Sequence, residues 1–423
     1  MGIKSLMKLL ADEAPESFKE TEKESYFNRM VAVDASMQLY ALLMQIRTSQ
    51  GGTGPATHLT NEAGEVTSHL LGMLHRTIGM MSKGLKPVFV FDGKPPELKM
   101  EELRARREMK DKAAAAAENA KQQLAAAEKD KEEAEEEEEG VDAAARQAKM
   151  DEAIAEIDKA NKRSTHVTKE HNEEVQKLLG LMGVPFLLAP SEAEAQCAEL
   201  ARKGKVFAVA TEDMDTLAFG TPILLRKLTR PDSQHEKVVE IHLDFVLGKL
   251  ALSMDQFVDL CILCGCDYCP SIRGIGPKNA LKLIREHKTI EEVAKHLDPS
   301  KFQVPEAMMS KLAAIREVFK HPETTPAEQV EIKFGAVNEQ GLIEFLVRDK
   351  GFDEGRVKSA LQKLAACKEI KQQQRIDSFF KPAQPASGPA TGFKRKPEDD
   401  HKQGKGVSKN KKPMGSSSRG RGK

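Results

Sequence analysis

The sequence predicts an α/β fold: a central, mostly parallel sheet with helices on both faces, a long helical insertion and a basic tail. Three observations carry that expectation. Short apolar runs at residues 30–33, 87–91, 184–188 and 205–210 alternate with stretches of helical periodicity, the pattern of βαβ units. Residues 101–162 are rich in Ala, Glu, Lys and Gln, with no proline, which is the composition of long helices. Each apolar run also stops at or just before an acid, and in open α/β sheets the carboxyl edge of the strands is where ligands bind.

At 423 residues, one large domain with appendages is expected rather than a string of small ones. The 65 basic and 65 acidic residues cancel, which hides an asymmetry: residues 132–139 are almost pure acid and the far end is basic. No apolar run approaches the roughly 18 residues of a membrane span, and no signal-peptide core is expected at the start. Met1-Gly2 suggests lipidation, but Leu6 stands where Ser or Thr is needed. Six cysteines without a secretory signal imply free thiols in a reducing compartment.

Taken in order, residues 1–6 lead into a short apolar helix. The run 30–33 ends at Asp34, and Tyr40 and Arg47 are expected on the helical stretch after it. Residues 50–55 read as loop, and 66–81 as an apolar helix carrying Arg76. The run 87–91, the clearest strand pattern, ends at Asp92. Lys99, Arg104, Arg106 and Arg107 follow on a basic helix that reads either as solvated charge or as a cationic gateway for phosphates. A helical hairpin turning near Gly140 is expected next, with the acidic run as its solvated tip.

Glu192 and Glu194 follow the run 184–188, and Asp213 and Asp215 follow 205–210. Each pair has a bland reading: Ser191 and Glu194 fit a capping box, and the aspartates fit a helix start. Acids at every strand exit are better explained by a shared metal site, because converging carboxylates repel unless cations lie between them. Further strands are expected near 222–228 and 237–241. Cys261, Cys264, Cys266 and Cys269 lie in one short stretch, which argues for buried thiols rather than a zinc site. Asp267 among them is a seventh acid beside the break at Gly265. The turn with Gly274, Gly276 and Lys278 opens a helix and suits a phosphate. Gln373, Ile376, Phe379 and Phe380 lie in a polar segment with no core to enter, so they read as anchors for a partner's pocket. The basic residues beyond 381 suit nuclear import and nucleic-acid contact.

The ordered motifs VAVDAS, VFVFDGKPP, APSEAEAQC, ATEDMD, GCDYC, RGIGPK and QQRIDSFF resemble the flap endonuclease branch of the XPG superfamily of structure-specific nucleases, over nearly all of residues 1–380. The resemblance implies a PIN-like sheet, a helical arch and a helix-two-turn-helix element. It implies two Mg²⁺ ions, with Mn²⁺ as substitute: one held chiefly by Asp34, Asp92, Glu192 and Glu194, the other by Asp213, Asp215 and Asp267. Lys99 and Arg106 match the family's basic pair on the scissile phosphate, with Arg104 and Arg107 as rivals in another register. DNA contacts are implied at Gly2, Tyr40, Arg47, Arg76, Glu192, Gly265, Asp267, Gly274, Gly276 and Lys278, with a monovalent cation at the turn. Gln373, Ile376, Phe379 and Phe380 match the motif that docks on the trimeric sliding clamp, proliferating cell nuclear antigen.

The implied organisation is a nuclease region at 1–111, an arch at 100–165 and a second nuclease region at 156–290, whose helix-two-turn-helix lies near 262–286. Helical core follows at 291–368, then a clamp motif at 372–380 and a disordered basic tail at 381–423. The implied activity is cleavage of 5′ flaps with accompanying 5′–3′ exonuclease action, in lagging-strand maturation and long-patch base-excision repair. A monomeric, membrane-free enzyme of the nucleus (nucleolus and nucleoplasm), with a possible mitochondrial pool, is expected. Rival readings are a sister exonuclease or junction resolvase, a non-catalytic DNA-structure binder and a metal-dependent phosphatase. Ser5 departs from the family's glycine, the arch is long with an acidic tip expected to repel a flap, and Cys264 and Cys266 are unusual beside Asp267.

Overall fold

In the computed structural model, residues 2–45, 47–49, 56–58, 60–61, 64–136, 143–231 and 236–369 are described. Met1–Gln372 form one compact unit, and Gln373–Lys423 a second that lies outside the described residues, with the expected clamp motif.

The strands are β1 (Phe18–Thr21), β2 (Met30–Asp34), β3 (Arg47–Ser49), β4 (Ala56–His58), β5 (Lys86–Phe91), β6 (Phe186–Leu188), β7 (Ala208–Ala210), β8 (Ile223–Arg226) and β9 (Val238–His242). Seven form one sheet in the order β1-β9-β8-β7-β2-β5-β6. The pairs β7–β2, β2–β5, β5–β6 and β7–β8 are parallel, and only the β8–β9 and β9–β1 edge is antiparallel. From β2 the chain moves to one side through β5 and β6, then returns across β2 to β7. This places a topological switch at the carboxyl ends of the central strands, where a crevice opens.

Helices α1 (Leu6–Glu13), α2 (Ala35–Gln45), α3 (Ser68–Ser82), α4 (Met100–Glu136), α5 (Ala143–Ser164), α6 (Lys169–Met182), α7 (Ala193–Arg202) and α8 (Asp215–Ala218) belong to the first half. Then follow α9 (Leu243–Leu250), α10 (Met254–Cys264), α11 (Pro277–His287), α12 (Ile290–His296), α13 (Glu306–Lys320), α14 (Glu339–Ile343) and α15 (Glu354–Glu369). Side-chain alternation divides the central strands between two cores. Val31, Val33, Phe89 and Phe91 pack with α2, α3, α6 and α15, whereas Ala32, Val88 and Val90 pack with Cys197 and Leu200 of α7. Truncating Phe89, fully buried at the centre, is expected to cost about 3–5 kcal/mol. Helices α4 and α5 pair into the expected hairpin, with Leu124 and Ile157 in its small core; residues 137–142, with the expected turn at Gly140, lie outside the described residues.

Four features depart from the pattern the sequence suggests. Arg47 is not on the helix after Asp34: α2 stops at Gln45, and Arg47 begins β3, paired with His58. The sequence RTS, with β-branched Thr48, favours a strand once a partner is present. Strand β1 went unpredicted, because FKET is short and largely polar and forms only by pairing antiparallel with β9 at the sheet edge. The run 205–210 yields a strand only from Ala208, since Val206 is drawn into a turn bonded to Leu200. Finally, Glu192 rather than Ser191 is the N-cap of α7, and its side chain makes no cap bond.

Candidate active site

That failed cap is the first clue to the site. Ala193 N–H donates to Asp92 Oδ1 at 2.8 Å, so the acid at the β5 exit caps α7 from a neighbouring strand. Gly93 N–H donates to Ser191 O at 2.7 Å and Lys94 N–H to Pro190 O at 3.1 Å, which stitches the two exit loops together. An added Cβ on Gly93 would collide with the Ala189 and Pro190 carbonyls, so glycine permits this approach. Glu192 then bonds the Lys99 ammonium, and Glu194 stands 4.0 Å from it.

Asp34, at the carboxyl end of β2, is buried. Its Oδ1 accepts from Met37 N–H at 3.0 Å and its Oδ2 from Thr211 Oγ1 at 3.2 Å. Burial, then the nearby charges of Asp92 and Asp213, push its carboxyl up to about 7. Asp213 accepts from Asp215 N–H at 3.0 Å, and Asp215 accepts from the N–H of Ile3. Burial and the charge of Asp213 hold Asp215 well above the usual carboxylate range. Glu194 is raised as well: burial leads, Lys99 opposes it, and Glu192, Asp92 and Asp34 add repulsion.

Cations of the protein lie across this cluster. The Lys99 ammonium bonds Glu192 and stands 3.4 Å from Asp267 and 4.0 Å from Glu194. Burial works against its charge, but Glu194, Glu192 and Asp267 outweigh it and hold the ammonium firmly protonated. Arg106 Nη2 donates to both oxygens of Asp267, at 2.8 and 2.9 Å, while its Nε meets Glu102. Of the two rivals, Arg104 stands 3.9 Å from Glu108 on its own helix.

The seven acids thus converge from five segments: the exits of β2, β5 and β7, the start of α7, and the turn after α10. Hard oxygen donors, buried and mutually repelling, fit a hard divalent cation such as Mg²⁺ far better than zinc, which favours nitrogen and sulfur. Among the described residues no three acid, His or Cys side chains are already drawn into a closed cage. Lys99 and Arg106 supply part of the positive charge instead.

The predicted DNA contacts divide. Gly2, with φ 81°, sits against the second acid pair, where an added Cβ would collide with Asp213 and Asp215. Gly265 O accepts from Lys4 N–H at 3.2 Å, which ties the chain start to the end of α10. Gly274 has φ 89°, and Gly276 caps α11 with Pro277 in its first turn, so the expected glycine turn lies between α10 and α11. Lys278 is exposed and paired with Asp12 at 2.9 Å. Tyr40 lies half-buried on α2, and Arg76 Nη1 on α3 donates to Gln38 Oε1 at 2.8 Å. Burial, then the charge of Arg230, pulls Arg76 down to about 10.

Sequence reasoning missed three side chains. Tyr268 donates its hydroxyl to Glu192, Thr211 bonds Asp34, and Glu102 bonds Arg106. A cleft of about 840 Å³ opens beside Tyr268 and Glu102, lined also by Gly2, Arg106, Asp267 and Cys269 among others.

Comparison with known proteins gives a consistent result. The family described as XPG N-terminal domain matches residues 1–113, and that described as XPG I-region matches 183–267. Flap endonuclease 1 of Branchiostoma floridae is 50% identical over 381 residues, covering 90% of this chain and 91% of the relative. The human protein of that name is 46% identical over 396 residues, 94% of each chain. The solved flap endonuclease-1 of Methanococcus jannaschii superposes with a TM-score of 0.60 at 31% identity, covering 86% of this chain and 99% of that one.

Proposed function

This chain belongs to the flap endonuclease family of XPG nucleases, and from that membership we propose how its own residues perform the family's reaction. It is a structure-specific nuclease that hydrolyses a phosphodiester bond at the base of a 5′ flap in DNA, with roles in replication and repair. Okazaki-fragment maturation and long-patch base-excision repair are the steps that need this product.

The supporting observation is the convergence of seven acids with Lys99 laid between them. In this reading Asp34, Asp92, Glu192 and Glu194 hold one Mg²⁺, and Asp213, Asp215 and Asp267 a second; Mn²⁺ would substitute. Two such ions, when bound, supply an activated water and stabilise the leaving oxygen. Lys99 and Arg106 present their charges to the scissile phosphate and stabilise it as negative charge builds. Thr211 and Tyr268 fix the carboxylates of Asp34 and Glu192 by hydrogen bonds. Asp92, by capping α7, sets where Glu192 and Glu194 begin.

Tyr40 stacks on a base near the cut, a contact every base can make. Arg47 and Arg76 hold the duplex beside it, and Gly2 and Gly265 let the backbone approach. The turn with Gly274, Gly276 and Lys278 grips downstream duplex through its backbone groups, whose carbonyl oxygens also suit a monovalent cation. Helices α4 and α5 form the arch through which a free 5′ end passes. Gln373, Ile376, Phe379 and Phe380 dock a monomeric enzyme on the trimeric sliding clamp, in the nucleus and in a mitochondrial pool.

Purified wild type and an Asp213→Ala variant, incubated with a labelled double-flap substrate, test the reading. Incision at the flap base with Mg²⁺, absent with EDTA and in the variant, is expected. Flap binding without incision in either Mg²⁺ or Mn²⁺ would replace the nuclease with a scaffold that only binds DNA.

A further inference from the structure

We propose that Cys266 and Cys269 form a redox modification site, at which a hydroperoxide makes an intramolecular disulfide that lowers nuclease activity and a dithiol restores it. The inference extends the nuclease reading and rests on it. The two cysteines bracket a tight turn whose central pair is Asp267 and Tyr268. Their sulfurs are 3.9 Å apart. Turns of this size bring the outer Cα atoms within about 7 Å, which overlaps the roughly 4.4–6.8 Å that a disulfide spans. Side-chain rotation with a small shift of the turn closes the remaining gap.

Their place on the cleft sets this pair apart from the other thiols. Cys197, Cys261 and Cys264 are buried in packed clusters. Cys269 is half-buried and Cys266 buried, and both line the cleft, whereas the half-buried Cys367 lies on α15 against Ile78 of α3. A small oxidant in the cleft therefore reaches Cys269, with Cys266 poised to resolve the product.

The chemistry balances. The Cys269 sulfur attacks a peroxide oxygen; the S–O bond forms, the O–O bond breaks, and the thiol proton leaves with the departing oxygen as water or alcohol. The sulfur is now a sulfenic acid and the peroxide is reduced. Cys266 then attacks that sulfur; the S–S bond forms, the S–O bond breaks, and the Cys266 proton leaves with the hydroxide as water.

The effect on cleavage follows from what the turn carries. Asp267 holds Arg106 at 2.8 Å and lies 3.4 Å from Lys99, and the Tyr268 hydroxyl bonds Glu192. Joining the two sulfurs draws the ends of the turn to a new separation, and both side chains ride on that backbone. Displacing groups that orient metal-site carboxylates costs about 10–100-fold in metal affinity or activity.

The test begins with fully reduced protein cutting a double-flap substrate with Mg²⁺, so failure of the nuclease reading shows before any oxidant is added. Wild type, Cys269→Ser and Cys266→Ser are then treated with hydrogen peroxide, mapped by mass spectrometry with fragmentation between the cysteines, and assayed before and after dithiothreitol. The expected result in wild type is a Cys266–Cys269 link with about a tenfold loss of cleavage, recovered by dithiothreitol. Both variants should cut normally when reduced and show no such reversible loss. Absence of the link overturns the proposal, as does a link that leaves cleavage unchanged or an equal reversible loss in both variants.

Discussion

The two acid sets are built on different footings. Asp34, Asp92, Glu192 and Glu194 stand at the ends of paired parallel strands or on a helix capped by one of them, so the sheet's hydrogen bonds fix their spacing. Asp213 and Asp215 share the β7 exit, but Asp215 takes its fixing bond from Ile3, and Asp267 sits on a turn beyond α10. One set is framed by the sheet; the other is assembled from three distant parts of the chain. The contrast teaches where the site is rigid and where it yields, and substitutions on either side measure the difference.

The largest effects should come from the acids themselves. Asp34→Ala and Asp213→Ala should each lower single-turnover flap cleavage by about 10³-fold, on the order of 4 kcal/mol, with flap binding retained by gel shift. Equal loss in both would show that the reaction needs the two sets together despite their different support. Next, Lys99→Met or Arg106→Met should cost about 10²–10³-fold in kcat with KM little changed, because charge aimed at the scissile phosphate matters most in the transition state.

A smaller effect, about tenfold in the Mg²⁺ concentration for half-maximal cleavage, is expected for Tyr268→Phe, which removes the bond to Glu192 without opening a void. Thr211→Val, which frees one oxygen of Asp34 in the same sheet-framed set, should shift that midpoint less than Tyr268→Phe does, because Asp34 keeps its bond from Met37 N–H.

pH separates the sheet-framed set further. Asp34 is pushed up to about 7, above its unfolded value of about 3.9. A carboxyl whose folded pKa is raised binds its proton more tightly when folded. Its contribution to stability is full below about pH 4 and is lost as pH rises through about 7. In metal-free protein, thermal unfolding should therefore show Asp34→Asn gaining on wild type between about pH 4 and 7, and added Mg²⁺ should narrow that gap. A gap that stays flat with pH would mean Asp34 is ionised throughout.

The smallest effect concerns the chain start that supports Asp215. Ser5 adopts φ 56°, a left-handed conformation that costs a non-glycine residue roughly 1–2 kcal/mol. Ser5→Gly should relieve that strain, less the entropy glycine adds to the unfolded chain. The net gain of about 0.5 kcal/mol would appear as a small rise in Tm.

How far the sequence carried the reading depends on the chemistry of each feature. The acids were readable because each follows an apolar run or a glycine break, a contrast that survives without coordinates. The parallel sheet was readable for the same reason, since Val31, Val33, Phe89 and Phe91 lie in uninterrupted apolar runs. Strand β1 and the β3–β4 hairpin were not, because FKET and RTS become strands only through partners elsewhere. The capping box that Ser191 and Glu194 also fit does not form, because Asp92, about a hundred residues earlier in the chain, caps α7 instead. Thr211 and Tyr268 escaped notice because a hydroxyl earns its place by geometry, not by charge or pattern.

The most direct test counts ions. Mn²⁺ binding to wild type, Asp34→Ala and Asp213→Ala, each in complex with a non-cleavable double-flap DNA, can be measured by electron paramagnetic resonance of the free ion. Two Mn²⁺ per chain are expected in wild type, about one in each variant, and spin coupling between the two sites in wild type alone. A single ion in wild type, or two that persist when either acid is removed, would contradict a site built from two acid sets.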